Sequence, residues 1–212
     1  MPSDPPAVTF LTRPSEPLVS LPAVRLVAVA GAAERQACLK ALAAEALELA
    51  ADEVTIAHAP QRGAVIVTPA RSGLFLSSAS RAGVAALAVA RCPIGVDIEV
   101  ITPDIDIAWN AVHRQERESL AALPEGEQGR TFLTLWTAKE AYYKALQSGF
   151  ERDPTQFSVR LRKGTAEVDD PSFAGRAEII VRSLEMASAE FVVSVALVPG
   201  GLPPPGARHG IS

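Results

Sequence analysis

The sequence predicts an α+β protein built from two halves of similar size that join near residue 100. Each half contains a long segment with apolar residues at helical spacing. Each half also contains several short β-branched or alternating segments that are typical of strands. A chain of 212 residues is long enough for one substantial domain, or for two small halves that each bury a core.

Proline marks both ends of the chain. Ten of the 17 prolines lie within the first 22 residues or after residue 198. Residues 1–22 and 199–212 are therefore predicted to form extended or poorly ordered arms. The arms leave an N-terminal half at 23–100 and a C-terminal half at 101–198.

The first half is predicted to begin with a strand and a long helix. Val24 to Ala30 is a β-branched run typical of a strand, and Ala33 to Leu49 has apolar residues at helical spacing. Residues 80–90 are rich in alanine, and their pattern is compatible with either a helix or a strand. The other strand candidates of this half are 54–57, 64–67, 73–76 and 95–100.

The second half is predicted to place its helices before its strands. A helical stretch lies within residues 105–123, and a polar loop at 124–129 separates it from a second helix at 132–146. Three alternating segments then predict antiparallel strands at 157–161, 177–181 and 191–197.

The bulk composition excludes several classes of protein. A hydrophobic share of 48% and a charged share of 21% are ordinary for a soluble globular enzyme and too apolar for a disordered chain. The net charge of -4 argues against a nucleic-acid partner, because phosphate backbones attract clustered positive charge. No apolar run reaches the roughly 18 residues of a membrane span, and the first residues lack the basic and apolar regions of a secretory signal. We therefore expect a cytoplasmic protein, with Cys38 and Cys92 as unpaired core thiols.

One acidic strand and one lysine-bearing helix carry the chemistry that the sequence predicts. In the Gly-Val-Asp-Ile-Glu strand, alternation places Asp97 and Glu99 on one face. In the helix, Glu140 and Lys144 are four residues apart and share a face, with Lys139 beside them. If the strand and the helix pack together, three carboxylates and two lysines converge.

This combination of side chains is typical of a phosphoryl-transfer site. Mg²⁺ prefers oxygen ligands, and one or two carboxylates usually hold it together with water and substrate phosphates. Lysines beside such a cation neutralise the charge of phosphate groups, and a carboxylate can take the proton of an attacking hydroxyl. Lysine is scarce in this chain, since only four of the 20 basic residues are lysines, yet the helix carries two of them.

Each part of the pattern also has a simpler interpretation. An Asp-x-Glu pair on a strand is often only a solvated face. Glu140 and Lys144 are compatible with an ordinary helix ion pair that contributes about 0.2–0.5 kcal/mol. Trp136 and Tyr143 lie seven residues apart on one side of the helix, which is more typical of a core than of a ligand platform.

The order of these motifs resembles a known family. Gly-Val-Asp-Ile-Glu at 95–99, Val-His-Arg-Gln-Glu at 112–116 and Trp-Thr-Ala-Lys-Glu-Ala-Tyr-Tyr-Lys at 136–144 closely resemble the 4'-phosphopantetheinyl transferases of the surfactin-synthetase-activating (Sfp) type. The resemblance covers about residues 34–162, including Gly149-Phe150 and the strand at 157–161.

The resemblance implies both an activity and a fold. Enzymes of this family use magnesium to move phosphopantetheine from coenzyme A to a serine of an acyl, peptidyl or aryl carrier protein, and so act as holo-carrier-protein synthases. Their fold is a pseudo-dimer of two similar α+β halves with the site in the cleft between them. The same fold, cofactor and partners are therefore expected for this chain, which is expected to act as a monomer.

The resemblance also implies roles for individual residues. Asp97, Glu99 and Glu140 match the metal-binding carboxylates of the family, and Glu140 also matches the proposed base for the carrier serine. Lys139 and Lys144 match the lysines that contact the pyrophosphate of coenzyme A.

Two further positions match more peripheral roles. Glu116 corresponds to an acidic residue that helps to order the site. Lys40 aligns with a basic residue that holds the 3'-phosphate of coenzyme A.

The first half departs from the family pattern. Family members usually carry Phe-Asn-x-Ser-His-Ser, whereas this chain has Phe-Leu-Ser-Ser-Ala-Ser at 75–80. Leu76 and Ala79 therefore stand at the asparagine and histidine positions, and the usual Gly-Lys-Pro is absent near residues 61–64. Other side chains of this region can offer hydroxyl or guanidinium contacts to the phosphates of coenzyme A. These are Arg62, Ser78, Ser80 and Arg81.

Histidines and exposed arginines complete the candidate residues. His58, His113 and His209 have no metal-ligand spacing and are interpreted as structural or surface residues. Arg114 and Arg117 are predicted on an exposed helical face, which is either simply solvated or part of a docking surface for an acidic carrier protein.

Three functions are compatible with these observations. We favour an active phosphopantetheinyl transferase. Leu76 and Ala79 motivate the second hypothesis, a non-catalytic module that binds a carrier protein or coenzyme A. The third is a metal-dependent phosphoester hydrolase on the same scaffold.

Overall fold

The computed structural model describes residues 7–13, 15–59, 63–147 and 153–200. It confirms the predicted α+β class, because runs of mostly antiparallel strands and separate long helices make up the chain. The similarity of the two halves and the cleft between them stay predictions. Within the described residues, no helix is both long and apolar enough to span a bilayer.

The first half is a four-stranded sheet with one long helix on one face and a separate hairpin beside it. Its sheet has the strand order β1-β2-β6-β5, in which β1 is parallel to β2 and the other pairs are antiparallel. The strands β3 and β4 form the hairpin. The elements are β1 Thr9–Leu11, β2 Ala23–Ala28, α1 Ala32–Leu47, β3 Thr55–Ala59, β4 Gly63–Thr68, β5 Phe75–Arg81 and β6 Val84–Ala90.

The alanine-rich segment, which is compatible with a helix or a strand, forms the central strand β6. All seven of its residues are buried, between β2 and β5 and beneath α1. A tight turn at Ala82 and Gly83 precedes β6, and both residues have positive φ, as the two-residue hairpins of twisted sheets require. Tertiary burial therefore overrides the helix preference of alanine.

The second half is a five-stranded antiparallel sheet covered by a 22-residue helix. Its strand order is β7-β11-β10-β9-β8. The long helix α3 packs on β7 and β11, and a buried hydrogen bond of 3.0 Å joins the Thr137 and Ser194 hydroxyls across this contact. The elements are β7 Ile94–Val100, α2 Arg114–Ala121, α3 Glu125–Leu146, β8 Ser158–Arg162, β9 Thr165–Asp169, β10 Glu178–Met186 and β11 Ala189–Leu197.

Several predicted boundaries are wrong for identifiable reasons. The predicted loop at 124–129 forms the first turns of α3, where Glu125 and Glu127 lie favourably at the positive end of the helix dipole. The candidate strand at 73–76 begins only at Phe75, because Gly73 has a positive φ of 70°. Strand β9 is not predicted at all.

The boundary near residue 100 divides the sheets differently from the prediction. The strand β7 is predicted in the first half, but it pairs along its whole length with β11 and so lies in the sheet of the second half. The N-terminal arm also contributes to the fold, because Thr9–Leu11 pairs with β2 and Leu11 is buried.

The two sheets meet through β5 and β7. Val96 and Ile98 of β7 lie in the same buried cluster as Ala79 of β5 and Ala86 of β6. The backbone N–H of Val96 donates a buried hydrogen bond of 3.0 Å to the hydroxyl of Ser77. This contact fixes β7, and its acidic residues, relative to the first half.

Candidate active site

The acidic face of β7 lies directly against α3, as the sequence predicts. A Cβ placed on Gly95 would lie 1.9 Å from the carbonyl oxygen of Ala141 and 2.5 Å from the backbone nitrogen of Ala145. Only glycine permits this close approach. Because side chains alternate along a strand, Asp97 and Glu99 share the face of Gly95 and point toward the same helix.

Lys144 of α3 is bound to the acidic strand. Its ammonium group donates a hydrogen bond of 2.7 Å to Asp97 Oδ1 and a second of 3.1 Å to the carbonyl of Val96. The side chain of Lys144 is 30% exposed, so its third N–H can face a ligand. The predicted convergence of the strand and the helix is thus present in the structure for Asp97 and Lys144.

The three candidate carboxylates have raised pKa values, and burial is the main cause for each of them. Burial raises the pKa of Asp97 despite the attraction of Lys144. Burial also raises the pKa of Glu140, and the charges of Asp97 and Glu99 raise it further. The pKa of Glu99 is raised as well, chiefly by burial. The charges of Asp97 and Glu99 thus act on Glu140, and the charge of Asp97 acts on Glu99.

One carboxylate oxygen of this site has no hydrogen-bond donor among the described residues. This oxygen is Asp97 Oδ2, which is buried. A buried carboxylate oxygen without a donor is costly, and a cation would satisfy it. The oxygen donors of Asp97, Glu99 and Glu140 fit the preference of Mg²⁺, which completes its shell with water and substrate phosphates. Within the described residues, no three acidic, histidine or cysteine side chains form a ready-made metal site.

Glu99 is paired with a cation from the other half of the chain. The Nε atom of Arg81, the last residue of β5, lies 2.8 Å from Glu99 Oε2. The Arg81 side chain is 57% exposed, whereas that of Glu99 is 18% exposed. Arg81 and Glu99 also line a cavity of about 350 Å³, whose other walls include Phe132 and Trp136. The site therefore draws residues from both sheets.

The structure contradicts the predicted pyrophosphate contact of Lys139. This side chain is only 2% exposed, and its ammonium group already has three protein acceptors. They are Pro154 O at 2.6 Å, Phe157 O at 3.1 Å and Glu116 Oε2 at 2.8 Å. An ammonium group has three N–H donors, so Lys139 has none left for a phosphate. Burial lowers its pKa, although the pairing with Glu116 opposes that shift.

Glu116 joins three parts of the second half around this lysine. Its Oε2 atom accepts the backbone N–H of His113 at 2.9 Å, which caps the start of α2. Its Oε1 atom accepts the backbone N–H of Val159 in β8 at 2.7 Å. The geometry agrees with an ordering role for Glu116, which is 3% exposed.

Three of the predicted coenzyme A contacts lie on the edge strand β5, and they are divided between its two faces. Ser80 faces α1, because its hydroxyl accepts a hydrogen bond of 2.6 Å from Arg35, and alternation places Ser78 on the same face. Lys40 is half-buried on α1. Arg81 is on the opposite face, against β7. Arg62 lies outside the described residues.

Leu76 and Ala79 are both buried, with exposed fractions of 7% and 8%. Leu76 packs in the cluster beneath α1, and Ala79 packs between the two sheets. The positions at which the family usually carries asparagine and histidine are thus part of the hydrophobic core in this chain.

The remaining sequence candidates have structural contacts. The imidazole of His58 is 3.0 Å from the side chain of Gln36, and His113 caps α2. His209 lies outside the described residues. Arg117 donates to the carbonyl of Trp109 at 2.6 Å. Trp109 is 38% exposed, which the sequence patterns do not predict.

Comparison with known proteins finds similarity to the family that the motifs predict. Residues 93–196 match the model of the 4'-phosphopantetheinyl transferase superfamily. The chain is 32% identical over 102 residues to 4'-phosphopantetheinyl transferase psf-1 of Bacillus pumilus, an alignment that covers 47% of this chain and 44% of that relative. It is 40% identical over 63 residues to 4'-phosphopantetheinyl transferase gsp of Aneurinibacillus migulanus, covering 29% of this chain and 27% of that relative. The chain thus matches less than half the length of these relatives.

The region that matches the family model runs from the start of β7 almost to the end of β11. It contains the acidic strand, the lysine-bearing helix and Glu116, but not Arg81. The resemblance predicted from the motifs is confirmed: residues 93–196 of this chain match the 4'-phosphopantetheinyl transferase superfamily.

Proposed function

We propose that this protein transfers the 4'-phosphopantetheine group of coenzyme A to a serine of an apo carrier protein in a Mg²⁺-dependent reaction. The contact between β7 and α3 carries the proposal, because it brings Asp97 to Lys144. The charges of Asp97 and Glu99 also act on Glu140 of the same helix. The names of the two similar transferases support the same activity.

Three carboxylates are the proposed metal ligands. Asp97 offers its unpartnered Oδ2 atom, and Glu99 and Glu140 offer further oxygens, since the charge of Asp97 acts on both. When bound, Mg²⁺ would neutralise the pyrophosphate of coenzyme A and stabilise the charge that develops during transfer. Without a metal, Lys144 and Arg81 supply the positive charge that pairs with Asp97 and Glu99.

Glu140 is the proposed general base. The resemblance implies this role for it, and a positioned carboxylate can accept the proton of an attacking hydroxyl. It takes the proton of the carrier serine as the serine oxygen bonds to the β-phosphorus of coenzyme A. The bond from that phosphorus to the bridging oxygen breaks, and adenosine 3',5'-bisphosphate leaves with the electron pair.

Cationic and hydroxyl groups are proposed to hold the rest of coenzyme A. The third N–H of Lys144 is available to the pyrophosphate. Lys40, Ser78 and Ser80 are proposed contacts for the 3'-phosphate end, which can approach around the edge strand β5.

The exposed face of α2 is the proposed contact for the carrier protein. Arg114 and Arg117 lie in the first turn of this helix and are exposed. Their positive charge complements the acidic surface that is expected of a carrier protein.

The direct test is to incubate the protein with coenzyme A, Mg²⁺ and several apo carrier proteins and to weigh each carrier. We expect one carrier to gain the mass of a single phosphopantetheine group. No gain with any carrier would contradict the proposal. Glu140→Gln should abolish the gain while the circular dichroism spectrum and melting temperature are preserved.

Glu127→Gln is the matched control for that variant. Glu127 lies on the same helix but is exposed in its first turn, far along the sequence from the site. We expect this control to transfer at the wild-type rate. Equal activity of Glu140→Gln and Glu127→Gln would contradict the proposed role of Glu140 as the general base.

A non-catalytic binding module is the second candidate. The burial of Leu76 and Ala79 favours it, because two positions that contribute polar groups in the family contribute none here. Calorimetry with coenzyme A and Mg²⁺ separates the two candidates. Carrier binding without measurable coenzyme A binding would favour the module over the transferase.

A further inference from the structure

Arg81 has more hydrogen-bonding capacity than the protein uses. A guanidinium group has five N–H donors in a rigid planar fork. The Nε atom of Arg81 lies 2.8 Å from Glu99 Oε2 in an ion pair. Among the described residues, the two terminal NH₂ groups of Arg81 have no assigned acceptor, and the side chain is 57% exposed. Arg81 lines the cavity of about 350 Å³ together with Glu99, Asp104 and Asp106.

On the face of β5 that is turned toward β7, Arg81 has a side chain that a ligand can reach. On the side of β5 that faces β7, Ser77 accepts the N–H of Val96 and Ala79 is packed in the core. Arg81 follows them at the end of the strand, where the side chain becomes exposed. A half-exposed ion pair contributes little to stability, so the pairing with Glu99 is a weak reason for an arginine at this position.

Asp97 and Glu99 form a short acidic row on one face of β7. The two cations of the site lie at opposite ends of this row. Lys144 pairs with Asp97, and Arg81 pairs with Glu99. Residues two apart on a strand are separated by about 6.6 Å. A diphosphate above this row would therefore have an ammonium group at one end and a guanidinium fork at the other.

We propose that Arg81 binds the pyrophosphate of coenzyme A and leaves Glu99 when that carboxylate engages a divalent cation. This inference rests on the proposed function and adds a substrate contact from the first half of the chain. The planar fork suits two phosphate oxygens at once. In the absence of ligands the same fork neutralises Glu99, which keeps the acidic site together.

Calorimetric titration of coenzyme A into the protein with Mg²⁺ tests this contact without any need for catalysis. Arg81→Gln should weaken coenzyme A binding by roughly tenfold or more, as expected for the loss of a charge-assisted hydrogen bond. Arg81→Lys, which keeps the charge but loses the fork, should weaken binding by less. The matched control is Arg91→Gln, since Arg91 is exposed near the other end of the same strand pair and donates to Ser72 O. Its affinity should equal that of the wild type.

A shortened ligand identifies which phosphate Arg81 contacts. Dephospho-coenzyme A lacks the 3'-phosphate but keeps the pyrophosphate. The proposal expects Arg81→Gln to weaken both ligands by the same factor. An effect seen with coenzyme A but not with dephospho-coenzyme A would overturn it in favour of a 3'-phosphate contact.

Titration of Mg²⁺ without coenzyme A separates a ligand contact from a general loss of structure. Arg81→Gln releases Glu99, so Mg²⁺ should bind as tightly as in the wild type or more tightly. Weaker Mg²⁺ binding in both Arg81 variants would show that Arg81 only supports the fold and would overturn the proposal. Wild-type affinity for coenzyme A in Arg81→Gln would also overturn it. If the wild-type protein itself does not bind coenzyme A, the proposed function fails first.

Discussion

Lys139 Nζ lies 2.8 Å from Glu116 Oε2, and both side chains are only 2% exposed. The pKa of the adjacent residue, Glu140, is raised by burial and is affected by the charges of Asp97, Lys144 and Glu99. Lys144, the second lysine of the helix motif, is 30% exposed and pairs with Asp97. Two lysines of one motif therefore have different tasks: Lys139 fixes the helix to its surroundings, whereas Lys144 faces the acidic strand.

Lys139→Met is expected to lower the free energy of unfolding by about 3–5 kcal/mol, because it leaves the Glu116 carboxylate buried without its ionic partner. Lys144→Met should cost much less stability, since its partner Asp97 can be protonated or bind a cation, but it should abolish transfer. Urea denaturation of both variants measures the difference. Equal stability of the two variants would contradict the structural role of Lys139.

The strand and the helix of the site could be predicted from the sequence. The different roles of Lys139 and Lys144 could not. Strand alternation correctly places Asp97 and Glu99 on one face, because Val96 and Ile98 fill the core on the other. The direction of Lys139 depends on Glu116 and on the carbonyls of residues 154 and 157, which are close only in the folded chain. Periodicity carries no information about such long-range partners.

Burial on two faces explains the other failures of sequence reading. The alanine-rich strand β6 lies beneath α1 on one side and against β7 on the other, so it lacks the alternation that marks a half-exposed strand. The strand β7 joins the second sheet because β11 pairs with it from nearly a hundred residues away. Local pattern cannot indicate which sheet receives a buried strand.

Gly95→Ala is expected to separate β7 from α3. The new Cβ would meet the backbone of Ala141 and Ala145, neither of which can move without shifting the helix. We expect a loss of at least about 1–3 kcal/mol in the free energy of unfolding, as for other overpacked sites, together with loss of Mg²⁺ binding. Thermal unfolding and metal titration measure the two effects.

The matched control for this variant is Gly126→Ala on the same helix. A Cβ at Gly126 meets no atom within 4 Å, and alanine favours a helix over glycine by up to about 1 kcal/mol. We expect its stability to be equal to or above that of the wild type. Wild-type stability and metal binding in Gly95→Ala would show that the close approach of β7 and α3 is not required.

Ser77→Ala is expected to weaken the junction of the two sheets. It removes the acceptor of the buried Val96 N–H on the edge of β7 that does not pair with β11. An unsatisfied buried donor costs about 1–3 kcal/mol. Ser119→Ala, at an exposed position of α2, is the control and should change stability by less than about 0.5 kcal/mol. Urea denaturation curves that coincide for the two variants would contradict this role of Ser77.

Magnesium is expected to stabilise the protein more strongly as the pH rises. Asp97 has a folded-state pKa above its ordinary value of 3.8, and Glu99 and Glu140 have folded-state pKa values above 4.5. For an acid whose pKa is raised by folding, the stabilising contribution is complete below the ordinary pKa and is lost as the pH rises through the raised one. The metal-free protein should therefore lose stability from this site as the pH rises above about 4–5.

A cation at the site reverses this loss because it binds the ionised carboxylates in competition with protons. Mg²⁺ at 100 times its dissociation constant adds about 2.7 kcal/mol to the free energy of unfolding, and that constant should fall as the pH rises. Melting temperatures with and without Mg²⁺ between pH 5 and about 8 test this expectation. The difference between the two curves should widen with pH in the wild type and should be smaller in Glu140→Gln. A difference that is constant or narrows with rising pH would show that these carboxylates do not bind the metal.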